Sequence, residues 1–281
     1  MVHVDMRALI KKLIVGTGRR VLSPKVSSRV IVLCYHSVHP TRLLVSARPK
    51  LFEQHLRWLT EYCTCVPFSD VLLEAAKPEE RDRPLVSITF DDGYADNYEY
   101  AFPLLHKYDV PATFFLTVGF VEHDPITMER FRGFVRGDPE GIRALGWSQV
   151  REMREAGMKF GTHTYSHPNL AQLEAAAAAA ELWQPKAIME DRLGERIALT
   201  AYPFGKPRRH FTAETMELVS KLGYDCAAAI TCRSVCASPS RYAVPRFYVA
   251  GDSLRTLQEK IFGGWDLLGL WHERAPAFLQ R

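Results

Sequence analysis

The 281-residue chain contains no CxxC pair, no internal repeat and no flexible Gly/Ser-rich linker. Its six cysteines are too few for a disulfide scaffold, and they fit a reducing compartment without excluding an oxidising one. No apolar run approaches the ~18 residues of a membrane-spanning helix, so no span is expected. The basic residues form no long stripe with interleaved aromatics, and 36 Lys and Arg against 32 Asp and Glu leave a net charge of only +4. That balance argues against nucleic acid as a partner. What is there, 47% apolar beside 24% charged residues, is the mixture of a globular chain able to bury a large core. Barrels of the α/β class often reach this length as one unit.

The first 28 residues read as a basic amphipathic segment. Met6, Leu9, Ile10, Leu13 and Ile14 fall at helical spacing with Arg7, Lys11 and Lys12 between them. No signal-peptide h-region or small-residue cleavage site follows, so a cytoplasmic or peripherally membrane-associated protein is expected. Residues 6–20 would either pack on their own domain or lie on an anionic membrane surface.

Along the rest of the chain, strand-length apolar runs recur at 30–35, 85–90, 112–118, 158–162, 198–203, 224–230 and 243–249. Helical patterns fall between them near 51–62, 94–108, 147–156, 171–193, 212–222 and 252–262. Seven strand-then-helix units predict parallel strands with right-handed crossovers, closed or nearly closed into a barrel over 29–264. Residues 120–146 read as a long polar connection near the site mouth. The alanine run 175–180 reflects helix propensity. The aromatic tail 265–281 is expected to dock on the barrel.

Two segments carry chemistry. Asp91 and Asp92 sit side by side after the apolar alternation Val86, Ile88, Phe90, with Gly93 supplying the turn. Burying a carboxylate is costly unless it is paired or bound to a metal, and the C-terminal rim of parallel strands is where α/β proteins build sites. His163 and His167, at i and i+4, follow another strand-like run, and a helical turn there would put both on one side. Two imidazoles and one carboxylate suit a divalent ion with open positions, leaving the second carboxylate as a base. His36, ending the first strand, is either a hydrogen-bonded structural residue or a general acid on the same rim. The run Ala201-Tyr202-Pro203-Phe204-Gly205 ends a strand in a constrained turn whose backbone N–H groups would face the site.

Thr89-Phe90-Asp91-Asp92-Gly93, His163-Thr164-Tyr165-Ser166-His167 and Tyr202-Pro203-Phe204-Gly205 resemble, in order, the first three motifs of the polysaccharide deacetylase family (NodB homology, carbohydrate esterase family 4). The resemblance covers roughly residues 28–250. It implies a distorted (β/α)7 barrel, metal ligands Asp92, His163 and His167, and Asp91 as catalytic base. The late Leu-x-x-His motif has no good match, since His272 stands in another context. Instead Leu33-Cys34-Tyr35-His36 resembles the N-terminal version of circularly permuted members, which implies His36 as general acid. Many members carry an arginine where this chain has Ala201. Arg246 is the candidate to orient Asp91 in its place, against the reading of a surface or substrate-facing arginine.

The implied reaction is hydrolysis of an N-acetyl group on an N-acetylhexosamine-containing polysaccharide or glycoconjugate. The implied cofactor is a divalent ion, Zn²⁺ before other first-row ions. The backbone N–H of Phe204 is the candidate oxyanion donor. Tyr94, Trp147, Tyr165 and Tyr202 are candidate sugar platforms, each also readable as core. The competing readings are an amidohydrolase acting on a small or lipid-linked C–N bond, a silent carbohydrate-binding barrel, and a membrane or nucleic-acid adaptor. Oligomeric state is left open.

Overall fold

The computed structural model of the chain describes residues 26–41, 46–77, 81–134, 142–236 and 239–266. Seven parallel strands form the barrel: β1 (Val30–Tyr35), β2 (Leu85–Phe90), β3 (Ala112–Leu116), β4 (Lys159–Thr162), β5 (Leu199–Ala201), β6 (Cys226–Ile230) and β7 (Val244–Tyr248). They run β1-β7-β6-β5-β4-β3-β2, and a direct β1–β2 ladder closes the ring. The closing ladder is the longest, pairing Val30 with Leu85 through Tyr35 with Phe90. The weakest seam lies between β4 and β5, where Thr162 opposite Thr200 is the single register pair. A Cβ on Gly161 would stand 2.7 Å from the Leu199 carbonyl oxygen and 2.8 Å from the Phe115 ring, so only glycine fits here. A two-residue strand, Thr64–Cys65, adds to the outside edge of β2, and Ser37–Val38 pairs with Ser46–Ala47 beside the barrel.

Strand parity sorts the core into two layers. Leu33, Tyr35, Val86, Ile88, Phe90 and Phe114 face the surrounding helices, while Val30, Val32, Leu85, Phe115, Ala201, Ala228 and Val244 belong to a second, interior cluster. Helices α1 (Pro49–Tyr62), α3 (Phe102–Lys107), α4 (Val118–Val121), α5 (Pro125–Phe134), α6 (Trp147–Glu155), α7 (Ala175–Leu193), α8 (Ala213–Lys221) and α9 (Leu254–Ile261) supply the outer layer, whereas α2 (Val71–Ala76) packs Val71 and Ala75 into the interior cluster. Local chemistry sets several ends. Pro49 opens α1, the Thr212 and Ser253 hydroxyls cap α8 and α9, and Gly194, at φ +66°, closes α7.

Every expected strand is present, 30–35 and 85–90 with the expected bounds and the other five trimmed by one or two residues at an end. The polar connection expected over 120–146 is instead partly helical. Residues Pro125–Phe134 form α5, capped by Asp124, whose carboxylate accepts from the Thr127 N–H and hydroxyl. Residues 135–141 of that connection lie outside the described residues, as do the N-terminal segment 1–25 with its expected membrane contact and 267–281 of the tail, including His272. Of the tail, Trp265 packs against the core and Asp266 accepts from buried Arg29 at 2.6 Å. Among the described residues no helix is long and apolar enough to cross a membrane.

Candidate active site

The site lies on the C-terminal rim of the strands, where backbone strain is concentrated. Asp92, Thr164, His167 and Phe204 all have positive φ (78°, 64°, 57° and 60°), a region that costs non-glycine residues on the order of 1–3 kcal/mol each. The expectation that His163 and His167 share a helical turn is not met. Residues 163–167 form a loop that doubles back, closed by the His167 N–H donating to Thr164 Oγ1 at 3.0 Å. The two left-handed residues bring the rings to a centroid distance of 5.0 Å, a convergence the sequence spacing suggested for a different reason.

Asp92, His163 and His167 bring one ligand atom each within 4.8 Å of one another. The Nε2 atoms of His163 and His167 stand 3.6 and 3.4 Å from Asp92 Oδ1, which is buried and has no hydrogen-bond partner. Nδ1 of His163 donates to the Ala201 carbonyl at 2.8 Å, leaving the Nε2 lone pair aimed at Asp92. Burial lowers the proton affinity of both imidazoles and, with the charge of Asp91, raises the Asp92 carboxyl well above its ordinary value. Two neutral imidazoles and an orphaned carboxylate oxygen, all sealed from water, are a donor set that fits a divalent cation.

Asp91 is held differently. Arg246, fully buried on β7, donates from Nη1 to Oδ1 and from Nη2 to Oδ2, both at 2.7 Å. Nη1 also reaches Thr89 Oγ1 at 3.0 Å, and the guanidinium carbon lies 5.4 Å from the Phe115 ring centroid. Burial, the largest single influence, raises the Asp91 carboxyl, but the charge and hydrogen bonds of Arg246 together with the neighbouring His163 and His36 outweigh it and hold the group well below the usual carboxylate range. Arg246 thus reaches Asp91 from a strand other than the one that bears Ala201, and its full burial rules out a surface arginine. His36 is half-buried, with its ring edge-on to Tyr248 at 5.3 Å and Nδ1 3.9 Å from Cys34 Sγ. Burial lowers its pKa to about 4, so the imidazole is neutral at rest.

The aromatic candidates separate. Tyr202 is core: it is 1% exposed, stacked on Phe211 at 3.9 Å, and donates to the Tyr242 carbonyl. It offers no face to a sugar. Tyr94 is also buried, close enough to Asp92 for the two groups to act on each other electrostatically. Trp147 is tied to Glu122 through Nε1 and covered by Arg192, and half-buried Tyr165 packs on Gly119. Phe204 alone of the site candidates is open, 45% exposed with its ring 4.8 Å from that of His167. Gly205 behind it, at φ +64°, lies so close to Ile230 that a Cβ would meet Cγ1 at 2.6 Å.

Five contributors escaped the sequence reading. Cys34 donates its thiol to Asp91 Oδ2 at 3.3 Å, and its parity with His36 on β1 was the available signal. Asp96 accepts from Ser37 Oγ and the Val38 N–H, while Asn97 donates to the His36 carbonyl, so the two pin the segment bearing His36. Phe134, from α5, stands with its ring 5.4 Å from that of His167. Glu181, from α7, accepts from the Tyr165 and Ser166 N–H groups (3.0 and 2.8 Å) and the Ser166 hydroxyl (2.6 Å), anchoring the loop between the two histidines. No local pattern marks it.

Comparison with known proteins agrees with this geometry. The sequence model of the family described as polysaccharide deacetylase matches residues 79–227. The Bacillus subtilis (strain 168) protein YxkH is 28% identical over 227 residues, spanning 79% of this chain and 72% of that one. A poly-beta-1,6-N-acetyl-D-glucosamine N-deacetylase of Staphylococcus aureus (strain MRSA252) is 23% identical over 76% of this chain and 70% of its own. Among solved structures, IcaB from Ammonifex degensii is similar with a TM-score of 0.67 and 25% identity, covering 84% of this chain and 97% of its own. Streptococcus pyogenes deacetylase PplD in complex with acetate shares the fold, with a TM-score of 0.69 over 83% and 98% of the two chains.

Proposed function

Since this chain belongs to the polysaccharide deacetylase family, we propose that it hydrolyses N-acetyl groups of an N-acetylhexosamine-containing polysaccharide or glycoconjugate. The observation that carries this reading is the convergence of Asp92, His163 and His167 beside an Asp91 locked in its ionised form. Asp91 accepts the proton of the attacking water. Oδ2 already takes two donors and Oδ1 one, so Oδ1 is the freer oxygen. A carboxylate held this far below its ordinary pKa is a weak base, useful only toward an acidified water. Asp92, His163 and His167 would hold a divalent ion, Zn²⁺ best matching the donor set, which would supply that acidity and polarise the acetyl carbonyl.

His36 faces the same space and passes a proton to the departing amine. Its neutral resting form means that the imidazole must gain a proton before it can serve as the acid. The Phe204 N–H, set by the strained turn at 204–205, is the proposed oxyanion donor, worth roughly 3–4 kcal/mol where such donors have been removed in other hydrolases. Residues 6–20 remain the proposed contact with a membrane surface.

The test is acetate release from a panel of N-acetylated glycans and lipid-linked sugars, with and without chelator. Turnover is expected to vanish with chelator and return with Zn²⁺. Asp91→Asn is expected to lose turnover while keeping its metal, whereas Asp92→Ala and His163→Ala lose both. Wild-type turnover by Asp91→Asn would overturn the assignment of the base.

A further inference from the structure

The rim beside His167 carries three cations that the hydrolytic chemistry does not use. Lys206, Arg208 and Arg209 are exposed on a loop that begins two residues after Phe204. The loop is built, not trailing. The His210 N–H donates to the Lys206 carbonyl, the Lys206 N–H to His210 Nδ1, and the Arg208 N–H to the Phe211 carbonyl (2.9, 3.1 and 2.8 Å). Ala171 N–H and Asn169 Nδ2, just past His167, hold the carbonyls of His210 and Arg209. Arg208 is kept at φ +66°.

The loop is also close to the reacting centre. The Phe204 ring bridges the His167 ring, at 4.8 Å, and the His210 ring, at 5.2 Å. Besides burial, the charges of Arg209 and Lys206 lower the proton affinity of His210, so both cationic ends lie near that ring. Elsewhere on the surface, Arg132, Arg143, Arg192 and Arg196 are paired with carboxylates. Among the described residues, no ion pair involves Lys206, Arg208 or Arg209. Like charges on one short loop without internal compensation repel one another, and an anionic ligand relieves that repulsion.

We propose that the 206–209 loop is an anion subsite of this active site, binding a phosphate or carboxylate group carried by the substrate. The inference rests on the deacetylase reading and narrows it. Phe204 offers an apolar face to the acetylated sugar, and the cations take the acidic group beside it. The product supplies a second argument. Each acetate released leaves an amine that gains a proton near neutral pH, so a neutral N-acetylhexosamine polymer becomes cationic as reaction proceeds and is repelled by this loop. An acidic glycan or a diphosphate-linked amino sugar retains compensating charge.

The experiment measures acetate release and equilibrium binding for three probes. These are a neutral β-linked N-acetylglucosamine pentamer, an oligosaccharide alternating N-acetylglucosamine with glucuronate, and an N-acetylglucosamine diphosphate lipid. At least one acidic probe is expected to show a KM or Kd ~10-fold or more below that of the neutral pentamer, the scale of three exposed charge pairs acting together. Which acidic probe wins identifies the source of the anion. The Lys206→Gln/Arg208→Gln/Arg209→Gln variant is expected to bring the ratio close to one, and 0.5 M NaCl to do the same to the wild type. A wild-type ratio near one, or a ratio that the variant and salt leave intact, overturns the proposal. If no probe yields acetate yet the binding preference is present and lost in the variant, the deacetylase reading fails and the subsite stands.

Discussion

The sharpest consequence of this geometry concerns Arg246. Its guanidinium is fully buried and forked onto both oxygens of Asp91 at 2.7 Å, with Thr89 Oγ1 as a further acceptor. Arg246→Ala would leave a buried carboxylate unpaired, a change that costs about 3–5 kcal/mol in other proteins. At roughly 2–4 °C per kcal/mol for chains near this size, the melting temperature should fall by on the order of 10 °C. The sign of the pH effect follows from the same pair. In the folded wild type the Asp91 carboxyl ionises below its unfolded value, so the pair's stabilisation is complete above about pH 4 and is lost only in stronger acid. Without the arginine, burial dominates over the remaining influence of His163 and His36, the carboxyl pKa rises, and the acid limb of kcat/KM moves to higher pH. Arg246→Lys keeps the charge but not the fork and should lie between. Asp91→Asn with Arg246→Met removes both charges and should recover most of the lost melting temperature while remaining inactive. Thermal melts and pH–rate profiles of acetate release check this series. An Arg246→Ala variant with wild-type melting temperature and an unshifted acid limb would refute the reasoning.

Three other outcomes are expected. Glu181→Ala should weaken metal binding about 10–100-fold in a competition titration against a chromophoric chelator, with Glu181→Gln in between, because the loop carrying His167 loses its anchor. Gly161→Ala should lower stability by about 1–3 kcal/mol in urea unfolding, since its Cβ would wedge β4 from β5 at the thinnest seam of the barrel. Burial raises the Asp96 pKa to about 6, so the folded state keeps a proton that the unfolded chain has already shed. Stability should therefore fall as pH rises from about 4 to 6 and flatten above, and Asp96→Asn should abolish that slope in urea midpoints.

The barrel was readable because its strands are buried on both faces, so each appears as an uninterrupted apolar run that a single chain displays. The candidate metal ligands and base were legible because adjacent carboxylates after such a run have no structural use. Helix α5 was not, since Pro125–Phe134 owes its form to an Asp124 cap and to Phe131 packing on Phe120, contacts that polar composition conceals. For Tyr202 the core reading, weighed against a sugar platform, is the one the fold bears out. An aromatic next to a site motif looks available until Phe211, nine positions later, is seen stacked on it.

Taken alone, the amino-acid order determined the alternation of strands and helices, and with it the rim on which Asp91, Asp92, His163 and His167 must meet. Local pattern suffices there, because parity and turn chemistry act over a few residues. Only the folded barrel decided which side chains complete that set. Arg246 reaches Asp91 across 155 positions, and Glu181 and Cys34 also approach from other elements. Closure of the ring by the β1–β2 ladder brings His36 beside Asp91. Such partners are chosen by space and burial, which no window of sequence contains.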